Sequence, residues 1–186
     1  MAICRTGDYP INFEEAGSGQ PIILIHGHAV DLRVWDDVMP SLLAARLRVV
    51  RYDVRGHGRS RVPDDGYSVA NHVEDLRALV AHLGVEEVVL CGFSMGGEIA
   101  AAFAAHYPRR VSGLVLVASA LDGVGYSEEF YASVEHLQSL IREHGAHPTI
   151  EDEFPKHAFF DQLRGDRDAM DRVRAMMAGY SAREYM

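Results

Sequence analysis

Residues 91–100 read "CGFSMGGEIA". The apolar run "VEEVVLCGF" leads into them and the small-residue stretch "MGGEIAAAFAAHYP", closed by Pro108, leads out. Period and composition make the first a buried strand and the second a helix. Ser94 therefore stands where a strand turns sharply into a helix. Gly92 and Gly96 flank it in a G-x-S-x-G pattern, the nucleophile elbow, in which side chains two residues before and after the apex would collide. The helix that follows sets free N–H groups and a positive dipole end beside the serine, where an oxyanion can be stabilised. The bare pattern arises by chance in roughly 6% of chains of this length, so the strand–helix context decides the reading.

Working outward, strands and helices alternate. "AICRT" and "YPINFEEAG" suggest an opening antiparallel hairpin across Gly7-Asp8. "PIILIHG" is a continuous apolar run, as in a strand covered on both faces. "DLRVWDDVMPSLLAARL" has near-helical apolar spacing, but Pro40 opposes a single unbroken helix. "RVVRYDV" is another strand. "SVANHVEDLRALVAHLG" is a helix with Ser68 as N-cap, a stripe of Val69, Val73, Leu76, Leu79, Val80 and Leu83, and Gly84 as its stop. "RVSGLVLVAS" is the last strand. Alternation of this kind implies an α/β fold with a mostly parallel sheet flanked by helices. From Leu121 to Met186 the pattern becomes helical. "SEEFYASVEHLQSLIREHG" and "DRDAMDRVRAMMAGY" are the two candidate helices, with no convincing strand.

Bulk properties narrow the function. The 186 residues are enough for one domain, or most of one. Lys plus Arg is 18 against 27 for Asp plus Glu, a formal charge of −9. That balance argues against nucleic acid and against a polybasic membrane patch. No apolar run approaches the ~20 residues of a membrane span, and "MAICRTGDYPINF" has no secretory signal pattern. Cys4 and Cys91 read as two free thiols, which fits the cytoplasm.

Two further motifs bear on chemistry. His26-Gly27-His28-Ala29 follows the strand "PIILI". A loop at that place supplies the other oxyanion donor, so the backbone N–H groups of His28 and Met95 are the expected pair. The ring of His28 invites a catalytic role, but its backbone is the better reading. In "YDVRGHGRS", residues 52–60, Asp53, Arg55 and His57 look like a charge relay on paper. A tight turn whose polar groups bond to backbone is the preferred reading.

Together, "LIHGHAVDLRVWDDVMPSLLAARLRVVRYDVRGHGRS" and "VVLCGFSMGGEIAAAFAAHYPRRVSGLVLVAS" resemble the α/β-hydrolase superfamily. They are most similar to its lid-bearing esterase and lactonase branch, with the 3-oxoadipate enol-lactonases, related esterases and haloperoxidase-like perhydrolases. The resemblance covers about residues 9–120. It implies an α/β-hydrolase core over 1–120 and the beginning of a helical lid over 121–186. It further implies Ser94 as nucleophile, His28 and Met95 as oxyanion hole, and neither cofactor nor metal. The expected substrate is a small carboxylic ester or lactone, cleaved through an acyl-enzyme.

In that family the catalytic acid and histidine follow later strands, in patterns absent here after Ser94. The expectation is a chain truncated before both, weakly active or inactive. Substitutes within the chain are Asp122, just past "LVLVAS", and His144, His147 and His157 on the helical segment. Two other readings stay open: a small-ligand receptor built on the same scaffold without turnover, and a partner-dependent fragment. With the later strands missing, "GLVLVA" is an open apolar edge. Such an edge favours a homodimer through it, an element swap, lid helices folded back over it, or aggregation.

Overall fold

The computed structural model describes residues 2–6, 9–119, 121, 125, 127–145, 149–156 and 160–183. Six strands form one sheet: β1 (Ala2–Thr6), β2 (Tyr9–Ala16), β3 (Gln20–Ile25), β4 (Leu47–Tyr52), β5 (Val88–Phe93) and β6 (Val111–Val117). Their spatial order is β1-β2-β4-β3-β5-β6. The opening hairpin is antiparallel, with Cys4 opposite Ile11, and β2 runs antiparallel to β4. The other pairs are parallel, with Ile25 opposite both Tyr52 and Gly92.

The apolar run of β3 is buried from Ile22 to Ile25 because both faces of the sheet are covered. Ile23 and Ile25 join Val50, Leu76, Leu79 and Ile99 on one side. Ile22 and Leu24 join Val49, Trp35 and Cys91 on the other. This is the period of two expected along a strand. Each fully buried side chain contributes about 1.5–3 kcal/mol.

Pro40 divides the segment after β3 as its chemistry requires. A 3-10 turn spans Leu32–Trp35, capped by Asp31, and a separate helix α1 (Met39–Ala44) carries Pro40 in its first turn. Helix α2 (Val69–His82) begins at Ser68, whose hydroxyl accepts from the Asn71 N–H, and Gly84 follows its end at φ 65°. Helix α3 (Met95–His106) follows β5 directly. Helices α4 (Glu128–His144) and α5 (Arg167–Met177) are capped by Ser127 and Asp166. Among the described residues beyond β6 there is no strand. Leu137 and Ile141 of α4 and Val173, Met176 and Met177 of α5 pack with Ala29 and Val30, so the helical segment sits on the loop after β3.

The strand order changes direction beside β3. The chain passes from β3 to β4 on one side, then crosses back to β5 on the other. The loops after β3 and β5 therefore diverge at the carboxyl end of the sheet. In open α/β sheets that divergence is where a ligand crevice forms. Among the described residues β6 is the far edge of the sheet, and its Leu114, Val115, Leu116 and Val117 are 40–46% exposed.

Candidate active site

Ser94 sits at the β5–α3 apex with φ 53° and ψ −119°, a disfavoured region for a residue with a Cβ. Serine is ordinarily a good helix cap, and Ser68 and Ser127 show how. Both have extended backbone and their hydroxyls accept from the third N–H onward. Ser94 occupies the same position relative to α3 but makes no side-chain cap. With this backbone the hydroxyl is not engaged by the helix N–H groups. The strain is held by backbone bonds: Ser94 N–H donates to Val117 O at 3.0 Å, and Gly97 N–H donates to Ser94 O at 2.9 Å.

The flanking glycines are needed because backbone passes where side chains would stand. A Cβ at Gly92 would run into the Gly96 carbonyl, and one at Gly96 would run into the Ile25 carbonyl. A Cβ at Gly27 would lie 3.0 Å from that of Ser94. The loop of residues 26–29 thus lies directly against the elbow. Met95 is buried, and His28, in the loop of residues 26–29, is exposed. Gly97 belongs to the elbow too, since Ser119 fills the space above it. The "MGG" doublet was the sequence signal for this second close approach.

Two buried histidines organise the loop. The Nε2 of His26 accepts the Val54 N–H at 2.9 Å, so that nitrogen carries a lone pair. Its Nδ1 then bears the proton and donates to Gly27 O at 2.8 Å. Gly27 O and the His28 N–H share one peptide plane, so this bond fixes the direction of the His28 N–H. Burial holds the His26 pKa below its ordinary value, against the raising effects of the Gly27 carbonyl and of Asp53 and Asp31. His57, fully buried, repeats the arrangement. Its Nε2 accepts the Ala29 N–H at 3.3 Å and its Nδ1 donates to Arg55 O at 3.0 Å.

Asp53 and Arg55 are structural, as the turn reading expects. Asp53 accepts from the Leu32 N–H, Asn12 Nδ2 and the Arg59 N–H, each within 2.9 Å. Arg55 pairs with the buried Asp75 of α2 at 2.6 Å and donates to Gly66 O. Asp75 gave no signal in the sequence beyond its place on the apolar face of α2.

Among the described residues, no histidine or carboxylate side chain bonds to the Ser94 hydroxyl. His144 stands at the solvent end of α4, 62% exposed and 3.9 Å from Glu143. Asp122, His147 and His157 lie outside the described residues. Burial pushes the Cys91 thiol up, which makes it inert. No three described His, Cys, Asp or Glu residues group as a metal site. A cleft of about 430 Å³ between the Leu32–Trp35 turn and α5 is walled by Arg33, Asp37, Arg172 and Met176, and includes neither Ser94 nor residues 26–29. No described helix is long and apolar enough to cross a membrane.

The alpha/beta hydrolase fold family model matches residues 20–167, which take in the elbow, the loop after β3 and every strand from β3 to β6. The chain belongs to the alpha/beta hydrolase fold family. Among curated hydrolase-fold relatives, a putative non-heme chloroperoxidase of Synechocystis is 34% identical over 93% of this chain and 66% of its own length. A non-heme haloperoxidase of Rhodococcus erythropolis is 39% identical over 58% of this chain and 39% of its own. The chain thus spans two thirds or less of the curated relatives it matches. Of solved hydrolase-fold structures, a bromoperoxidase from Bacillus anthracis superposes with a TM-score of 0.86 at 28% identity, covering 99% of this chain and 70% of that one. The enol-lactonase from Burkholderia xenovorans gives 0.83 at 23% identity, covering 99% and 70%, a likeness of fold.

Proposed function

We propose that this hydrolase-fold chain carries the nucleophile and oxyanion side of a serine hydrolase acting on a small carboxylic ester or lactone. The observation that carries the reading is the backbone of Ser94: a strained apex, an uncapping hydroxyl and a glycine-lined approach from the loop after β3. The Ser94 oxygen attacks the substrate carbonyl carbon and its proton passes to a base. The negative charge gathers on the carbonyl oxygen, held by the N–H groups of His28 and Met95. Collapse expels the alcohol and leaves an acyl group on Ser94, which water then removes. The neighbouring bromoperoxidase and enol-lactonase folds and the haloperoxidase relatives support this class of chemistry without selecting a substrate.

The base is the weak point of the constellation. A triad stripped of members still accelerates the reaction ~10³–10⁴-fold over water, so Ser94 acting without a base would turn over slowly. The bare Ser94 hydroxyl among the described residues also favours a second reading, a scaffold that binds a small ligand without turnover or awaits a partner. A free, buried Cys91 supports a reducing compartment such as the cytoplasm for this reading. Hydrolysis of a short-chain p-nitrophenyl ester by the wild type and by Ser94→Ala separates the two. A Ser94-dependent rate supports the hydrolase. Ligand-dependent melting with no Ser94-dependent rate supports the binding scaffold.

A further inference from the structure

Ala29, next to His28, has φ 59°. That is left-handed backbone, which a residue with a Cβ avoids unless its surroundings hold it there. The described restraint on its N–H is the 3.3 Å bond to His57 Nε2. A bond of that length is lost if the acceptor moves by a few tenths of an ångström. The placement of the His57 ring therefore matters to the loop.

Several described contacts place that ring, a tilted approach of the His28 ring at 6.3 Å among them. The His57 Nδ1–H donates to Arg55 O. The His26 ring meets it edge-on at 5.1 Å. The Tyr180 ring stacks on it at 4.5 Å with 27° between planes. Tyr180 comes just after α5, and its neighbour Ser181 donates its N–H to Gly56 O at 3.1 Å. The end of α5 is thus fastened to the turn at residues 55–57 both by a ring stack and by a backbone bond. Tyr180 and Ala29 also lie in the same buried apolar cluster.

We infer that Tyr180 is a positioning residue: stacked on His57, it couples the end of helix α5 to the loop that carries the His28 N–H. The docking of the helical segment then sets the conformation of residues 28 and 29. The chemical meaning of this link rests on the proposed hydrolase reading, but the link itself is a property of the fold.

The test is backbone amide exchange by NMR on the full chain, comparing Tyr180→Leu, which keeps apolar bulk without a ring, with Tyr180→Phe, which keeps the ring. In Tyr180→Leu the Ala29 amide is expected to exchange at least about tenfold faster, while Ile23, Leu24 and Leu90 in the sheet stay within about twofold. Tyr180→Phe should match the wild type. Imidazole nitrogen shifts should show His57 Nε2 unprotonated in the wild type. An unchanged Ala29 in Tyr180→Leu, equal effects in the Leu and Phe variants, or a uniform rise across sheet and loop would each overturn the inference. Labelling of Ser94 by an activated phosphonate ester, run in parallel, should slow in Tyr180→Leu and recover in Tyr180→Phe. If Ser94 of the wild type is inert to that reagent, the hydrolase reading fails, and the exchange data still decide the link.

Discussion

The Ser119 side chain occupies the space a side chain at Gly97 would need, with its hydroxyl 3.3 Å from the Gly92 carbonyl. One residue at the end of β6 therefore braces both sides of the elbow. Gly97→Ala should destabilise the chain by about 1–3 kcal/mol, the usual cost of overpacking. Ser119→Gly in the same chain should recover at least half of that. Urea unfolding of the four species in a double-mutant cycle measures the coupling. Additive effects would mean that the two residues do not share this space.

Strain at Ser94 makes a second prediction. Left-handed backbone at a residue with a Cβ costs about 1–2 kcal/mol, and glycine gives back about 0.5–1 kcal/mol through its freer unfolded chain. Ser94→Gly should therefore be more stable than Ser94→Ala by about 0.5–1 kcal/mol. Both lack the hydroxyl, so the difference isolates the backbone. An alanine variant as stable as the glycine variant would mean that the apex is unstrained.

His26 ties stability to pH. Its folded pKa is lowered by burial, so the unfolded chain takes up a proton first as pH falls. Above the unfolded value of about 6.5 the group has no effect. Below it, and down to the folded pKa, it removes up to about 1.4 kcal/mol of stability per pH unit. Denaturant curves between pH 7.5 and 5.5 should show this decline, and His26→Asn should show a shallower one. Parallel declines in the two proteins would assign the effect to other groups.

The open β6 edge concerns assembly. Four consecutive apolar residues, Leu114–Val117, are 40–46% exposed, and among the described residues no strand pairs on the far side of β6. Burying about 400 Å² of apolar surface per partner, about 800 Å² in all, would yield on the order of 20 kcal/mol gross, before association costs. The 186-residue chain is expected to form dimers through this edge. Light scattering from 1 to 100 μM (a range of order set by typical weak interfaces) should show mass rising with concentration, and Leu116→Lys should suppress it. A monomer throughout would refute the prediction.

Much of the fold was legible because it rests on local rules. The period-two burial of β3, the cap at Ser68 and the break at Pro40 each follow from a few neighbouring residues. The elbow was legible for the same reason: Gly92, Ser94 and Gly96 form one contiguous turn. What escaped are relationships over long separations. Nothing near Tyr180 announces that it will stack on His57, 123 positions away (180 − 57), nor does the local sequence of Asp75 name Arg55 as its partner. Such pairs are decided by how helices dock, which periodicity does not encode. The YDVRGHG turn shows the converse. Its three charged or titratable side chains suggested chemistry, yet they are taken up by backbone groups and by the side chains of Asn12 and Asp75.

Ser94 is the proposed acyl-accepting nucleophile. Intact-mass and peptide mass spectrometry after brief exposure to a p-nitrophenyl ester tests it most directly. The expected result is a single acyl group on Ser94, forming and clearing far more slowly than a typical enzyme turnover of ~10 s⁻¹, and absent in Ser94→Ala. Acylation that persists unchanged in Ser94→Ala, or that falls on another residue while Ser94 stays unmodified, would contradict the account.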